Sequence, residues 1–493
     1  MNPPPPPGPA DDIGKPAGLP VSPQMLDDAT KERRWNVGTL WYTRAGLTIL
    51  FSLLLWGDFA YQMKERSAGP MLQILVKEVF HSSNTEMQMF MLFIPQAIII
   101  VVGPVVSYRS DRHRGRWGRR IPYLMLSTPF AFLAMVGIGL SPGIGRSLDA
   151  HLGSHSPGLD PTIRLCFGFF WIVFEVATVA ANAVLGGLIN DVVPRALIGR
   201  FYGLFRALSL IAGMIVTYKL LGLTKTHYVA MFLGIGLLYA GGFTLMCLTV
   251  KEGEYPPPQD RSLEQHRGFV NDMWVYLRQS FSNPYYIFLM IAMMFGALAF
   301  NPVNNFSQPF ATALHIDNDA YGKYIGITYG MSLVASYWIG SLADRFHPLR
   351  IGIVSMLLYA VLTFFGTYVS SNPTVLFTLP LTKGGVPFQW FAIALIAHTF
   401  LSGTYFTCTA SLGQRLFPRE TFAQYSAAAG IVNAVCTMIY AVAIGRYFDW
   451  RGPVYHQTYA IGCGMALAGA ATMLIVHGYF MKLGGPKNYV APE

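Results

Sequence analysis

Long apolar runs broken by short polar segments dominate the chain from residue 37 to residue 480. A stretch of about 20 mostly apolar residues can cross a bilayer as a helix. The pattern predicts such helices at about 39–62, 87–108, 122–143, 164–188, 198–222, 228–250, 285–310, 321–343, 350–370, 388–412, 421–445 and 457–480. The runs 164–188 and 285–310 are the least regular, because polar groups interrupt them. The expected fold class is an all-α polytopic membrane protein with twelve transmembrane helices.

Short motifs recur in order. GPVVSYRSDRHRGR follows the second run and GSLADRFHPLR the eighth; DVVPRALIGRFYG enters the fifth and RLFPRETFAQYSA the eleventh; HSSNTEMQM precedes the second and HIDNDAYGK the eighth. Matches at nearly one offset predict a duplication into two pseudo-symmetric six-helix bundles, residues 37–250 and 285–480. Residues 1–36 read as a disordered, proline-rich cytoplasmic tail without the basic-then-apolar pattern of a cleaved signal. Residues 251–284 read as a cytoplasmic linker. In it Phe269, Met273, Trp274, Leu277 and Phe281 fall near one face of a short helix on the membrane surface. Residues 481–493 form a second tail.

Composition agrees with a lipid solvent: 53% of residues are hydrophobic and 12% charged, against about 25% charged in soluble domains. The net charge of +10 would suit nucleic acid were it spread evenly. Instead Lys and Arg gather in the tails and in the loops on the same side, most densely in SYRSDRHRGRWGRRIPY, residues 107–123. This positive-inside bias predicts cytoplasmic termini in a plasma (inner) membrane and requires no nucleic acid. Cys166, Cys247, Cys408, Cys436 and Cys463 all fall in expected helices without a CxxC pair, so neither disulfides nor a metal site is expected. GxxxxGK[ST], HExxH and GxSxG motifs are absent, as is a soluble domain large enough for catalysis. An ATP-driven pump and an enzyme both lack support.

A charged side chain inside the bilayer costs about 2.5–3.5 kcal/mol and needs a partner or an aqueous cavity. The expected helices contain Arg44, Asp58, Glu175 and Arg206, all in the first half. Glu175 and Asn182 share a helical face. An acid and an arginine facing one polar pocket suit a sugar, since both hydrogen-bond neighbouring hydroxyls in bidentate fashion; Asp58 or Glu175 would also carry a proton. The competing reading is an Asp58–Arg206 ion pair that only holds helices together. The second half supplies amides: Asn301, Asn304, Asn305 and Gln308 along one helix, His398, Ser402 and Tyr405 on another, and Asn433 with Tyr440 on a third. These faces would complete a midplane pocket, with interhelical hydrogen bonding as the alternative. Asp111 at a helix end, with Arg112, Arg119 and Arg120 wrapping back, and its counterpart Asp344–Arg345, is expected to form a conformational latch; topology and lipid headgroups would also use those arginines.

The two halves, the Asp-Arg loops after helices 2 and 8 and the long central loop resemble the major facilitator superfamily over residues 37–480. SDRHRGRWGRRIPY resembles the extended loop of the glycoside–pentoside–hexuronide cation symporters and related sucrose transporters, and NAVLGGLINDVVPRALIGRFYGLFR resembles their helix 4–5 passage. The resemblance implies a single-chain secondary transporter importing a sugar or glycoside by alternating access, without cofactors. Melibiose-type carriers hold their helix 1 sugar acid in a KDFA stretch, which GDFA resembles, and their helix 5 arginine before a small-residue run ending in Ala-Gly, which RALSLIAG resembles; the resemblance implies those roles for Asp58 and Arg206. Asn182 falls where they carry a second acid. Their sodium-site acids on helix 2 correspond to Ile99 and Gly103, so no such sodium site is expected and the proton becomes the expected coupling ion. A uniporter, an exporter of amphipathic compounds, and a polytopic receptor or membrane enzyme remain the alternatives.

Overall fold

The computed structural model describes residues 35–254, 278, 280–371, 386–418 and 421–492. Residues 1–34 of the expected proline-rich tail and most of the linker, with its surface helix, lie outside them; Trp35 and Asn36, expected in the tail, instead belong to a strand. The described chain opens on a hairpin, β1 (Trp35–Val37) and β2 (Leu40–Tyr42), with Trp35 opposite Tyr42. Its turn uses Gly38 at φ +54°, a left-handed value that favours glycine. The first expected helix therefore begins as a strand, and helix starts only after Thr43, whose hydroxyl accepts the Gly46 N–H at 3.1 Å.

Twelve long helices follow: α1 (Arg44–Ile74), α2 (Asn84–Arg112), α3 (Ile121–Leu152), α4 (Leu159–Val192), α5 (Ile198–Ile215), α6 (Thr224–Thr249), α7 (Pro284–Ala313), α8 (Asn318–Arg345), α9 (Pro348–Ser371), α10 (Val386–Thr409), α11 (Phe422–Arg451) and α12 (Gln457–Lys482). By length and apolarity alone nine helices qualify as spans among the described residues. The difference has a physical cause. Residues 195–249 run through α5 and α6 with only a π turn, a 3-10 turn and a bend at His227 between them, so two spans register as one. Helices α1 and α8 are too polar for the apolar criterion, yet both pack inside the body. Several helices outrun their apolar windows; α1 runs to Ile74 and holds Lys64, Glu65 and Arg66. Helix α7 breaks at Ala299–Phe300, where Pro302 supplies no N–H for the Leu298 carbonyl.

Helices α1–α6 pack together through α3 on α4, α1 on α6 and α3 on α6; α7–α12 do so through α9 on α12, α7 on α12 and α8 on α10. Aromatic rings fill both bundles, for example Tyr61 against Tyr239 and Phe243, and Tyr286 against Tyr425. In lipid such close packing, rather than exclusion from water, holds helices together.

The halves meet mainly where α5 lies on α8, α2 on α11 and α1 on α7. These contacts gather at the ends away from the termini. Glycines allow the approach: a Cβ on Gly322 would lie 2.2 Å from the Thr217 carbonyl oxygen, and one on Gly445 would lie 2.6 Å from Thr85 Cα. An even number of spans puts both termini on one face; among the described residues the named contacts between the halves lie toward the other face, which leaves a cleft on the terminal side.

Candidate functional site

Asp58, Gln62 and Arg66 follow one another at intervals of four along α1, so they form one stripe. Asp58 is 1% exposed; its Oδ1 accepts from Gln62 Nε2 at 3.1 Å and its Oδ2 has no protein partner. Arg66 donates through Nε and Nη2 to Ser209 Oγ on α5, at 3.2 and 2.6 Å, and its guanidinium lies 5.8 Å from the Tyr329 ring of α8. Arg206, one turn before Ser209, is exposed. No ion pair joins it to Asp58, so the two are not a structural clamp in this state. Asn182 on α4 is exposed and Glu175 partly so.

A second polar stripe on α1 escaped the sequence reading. Lys64 is fully buried, donates to Thr178 Oγ1 on α4 at 2.8 Å and lies 3.7 Å from Glu65 Oε2. Its ammonium is 4.3 Å from the centre of the Tyr61 ring, 5.1 Å from Phe174 and 5.2 Å from Tyr239, a cation–π cage. Glu175 precedes Thr178 by one helical turn and is within electrostatic reach of Lys64. The signal was present: MLQILV resumes apolar sequence a few residues after MKERS, so the charges sit inside a span instead of ending it.

The amides of α7 divide among different tasks. Asn304 is exposed, and its Oδ1 meets His398 Nε2 at 2.9 Å while His398 Nδ1 meets the Tyr359 hydroxyl at 2.8 Å. His398 is thus a buried, doubly bonded imidazole linking Asn304 to α9. Asn305 is buried with its Nδ2 unpartnered, Asn301 is half-buried, and Asn433 on α11 has an unpartnered Oδ1. Tyr405 is buried in the second bundle, its ring packed on Phe300 and its hydroxyl filling the space above Gly296.

Gln308 belongs to a seal between the halves. It donates to Glu78, just past α1, and Thr312 Oγ1 and Asn318 Nδ2 donate to the same carboxylate at 3.0–3.2 Å. Lys225 completes the cluster at 3.4 Å. Beside it, Asp449 at the end of α11 accepts from Asn84 N, Thr85 N and Thr85 Oγ1 at 2.7, 2.9 and 2.6 Å. It thereby caps the N-terminus of α2 from the opposite half.

On the terminal face, Asp111 pairs with Arg120 at 2.6 Å, not with Arg119. Arg119 instead makes a bidentate contact with Asp191 of α4, at 3.0 and 2.6 Å, the geometry a guanidinium prefers. Glu252, after α6, accepts the N–H groups of Arg119, Arg120 and Ile121 at 3.0, 2.8 and 2.7 Å. The cluster therefore ties the ends of α2, α3, α4 and α6 within one half. Arg112 stacks on Tyr108 at 3.9 Å. Arg345 is exposed at the end of α8, and the Asp344 side chain lies outside the described residues. Among the described residues no group of three His, Cys, Asp or Glu side chains is placed to hold a metal.

The Major Facilitator Superfamily model matches residues 54–441. Among solved structures, the nucleoside transporter NupG aligns with a TM-score of 0.59 at 9% identity, covering 87% of this chain and 98% of its own. The inward open xylose transporter XylE from E. coli aligns at 0.58 and 12% identity, covering 87% and 95%. A D-xylose-proton symporter aligns at 0.56 and 16% identity, covering 86% and 96%. At these identities the likeness establishes fold alone. With the family model spanning most of the membrane body and two six-helix bundles meeting across a cleft, the chain belongs to the Major Facilitator Superfamily, and it is a multi-pass membrane transporter rather than an enzyme.

Proposed function

We propose that the protein is a proton-coupled symporter of a small polyhydroxylated solute, a sugar or glycoside, working by alternating access in the inner membrane with cytoplasmic termini. The observation that carries this reading is the α1 stripe. Asp58 keeps a buried oxygen without a protein partner, while Arg66 and Arg206 bring guanidinium groups to the neighbouring turns of α1 and α5. An unpaired buried acceptor costs about 1–3 kcal/mol, and a hydroxyl donor from a solute removes that cost. Asn182, Asn301, Asn304, Asn305 and Asn433 offer further polar contacts from both halves. The sugar-transporter branch suggested by SDRHRGRWGRRIPY supports the same substrate class, as does the presence of a D-xylose-proton symporter among the similar solved structures. With cytoplasmic termini, the cleft described here is inward-facing. The Asp111 cluster then braces one half as it rocks, and the Glu78 and Asp449 contacts part when the opposite face opens.

Counterflow of a labelled sugar panel in proteoliposomes tests this reading. Wild-type protein should exchange at least one sugar, and Asp58→Asn and Arg206→Gln should each lower exchange at least tenfold. Exchange of none of the sugars would refute the substrate class.

A further inference from the structure

We propose that Lys64, Glu65 and Glu175 form the proton-carrying site of the cycle, adjoining the Asp58–Arg66–Arg206 face that takes the solute. The inference rests on the symport reading and names the group that performs it. Lys64 is fully buried, yet its contacts are unlike those of a structural ion pair. One hydroxyl lies at 2.8 Å, one carboxylate oxygen at 3.7 Å, and three aromatic rings surround the rest. Glu65 on α1 is the paired carboxylate, and Glu175 on α4, one turn before the Thr178 that accepts from Lys64, is within electrostatic reach of the same ammonium. With both ionised the cluster carries one negative charge in a medium that penalises it, and one added proton makes it neutral. The balance is simple: a proton from water forms an O–H bond on one carboxylate, crosses with the cluster, and returns to water on the other side. No other bond changes.

The groups facing Lys64 come from three helices: Tyr61 and Glu65 of α1, Glu175 of α4 and Tyr239 of α6. Glu65 is 43% exposed and provides access for the proton. Asp58 and Arg66 lie on the other stripe of α1, which touches α5 and α8. One helix thus carries both groups: Lys64 turns away from the solute stripe, while Glu65, seven residues after Asp58, borders it. It also reaches the opposite half through Arg66 and through Gln73, whose Nε2 donates to the Asn304 carbonyl at 3.1 Å. A charge change beside Lys64 therefore acts on the same rigid element that meets the solute and the partner half.

The test uses full-length protein in proteoliposomes, measuring sugar counterflow, gradient-driven accumulation and proton uptake by an internal pH dye. In Glu175→Gln the ratio of accumulation to counterflow should fall at least tenfold, with proton uptake lost. In Lys64→Gln the pH at half-maximal accumulation should rise by about one unit, because the carboxylates lose their cation; Lys64→Arg should restore it. A merely structural lysine would lower all rates without moving that midpoint. The proposal is overturned if Glu175→Gln accumulates sugar with wild-type proton uptake, or if Lys64→Gln keeps the wild-type midpoint. If Lys64→Gln does not fold, Glu175→Gln alone decides. Failure of the symport reading is separate: wild-type protein itself would then equilibrate sugar without proton uptake, or move none.

Discussion

Adding one methyl group at Gly322 tests whether the face away from the termini is closed by backbone contact between the halves. The new Cβ would lie 2.2 Å from the Thr217 carbonyl oxygen and 3.1 Å from Leu221 Cβ. A comfortable carbon–oxygen contact is about 3.3–3.6 Å, so α5 and α8 must part by about 1 Å. Backbone atoms cannot turn aside as a flexible side chain does. Overpacking of this kind costs about 1–3 kcal/mol. At 1.4 kcal/mol per tenfold, Gly322→Ala should lower the closed population about 5- to 150-fold relative to the open one. Nitroxide labels at exposed Thr226 and Ala313, on opposite halves of the sealed end, report it by double electron–electron resonance: the variant should gain a longer-distance component. Gly330→Ala on the same helix is the control, because its nearest neighbour would be Met214 Sδ at 3.8 Å. A Gly322→Ala distribution identical to wild type would refute the reasoning.

Three further outcomes follow from the geometry. Asp449→Ala removes the acceptor of three hydrogen bonds from α2; because Asp449 is exposed, screening limits the loss to about 1 kcal/mol, and the same labels should show a several-fold gain of the open component. Glu252→Ala strips the acceptor from three N–H groups at the start of α3, costing about 2–3 kcal/mol, and should lower the Tm of purified protein; an unchanged Tm would show that water replaces the carboxylate. His347, in the loop between α8 and α9, stacks on Phe480 and accepts the Leu349 N–H, and burial together with Arg415 and Arg350 pushes it down to about 4. The unfolded chain then binds more protons between pH 6.5 and 4, so stability falls as pH drops through that window and levels off below it. His347→Asn should flatten a Tm-versus-pH series there; an equally steep series would contradict it.

Most of the helical body was legible because lipid demands long apolar runs, and from α2 onward most expected spans lie within the observed helices. What escaped had local causes. Lys64, Glu65 and Arg66 look like a loop to any hydropathy window, but partners on α4, α5 and α8 make a buried charge tolerable there. Leu40–Tyr42 is apolar enough to read as the start of the first helix, and the left-handed Gly38 pairs it with Trp35–Val37 in a hairpin instead. On α7, Asn304 and Gln308 share a face by periodicity. They part company because the neighbours differ: His398 for one, Glu78 for the other. Asp111 was visible as an arginine partner. The choice of Arg120 over Arg119 depended on Asp191 and Glu252, which are remote in sequence and enter only with the fold.

The most direct measurement is uptake of labelled sugar into proteoliposomes under an imposed inside-alkaline gradient, with internal pH recorded simultaneously, for wild type and Asp58→Asn. The account predicts sugar accumulation above the external concentration, inward proton movement in step with it, and loss of both in Asp58→Asn. Sugar that only equilibrates without proton movement, or accumulation undiminished in Asp58→Asn, would contradict it.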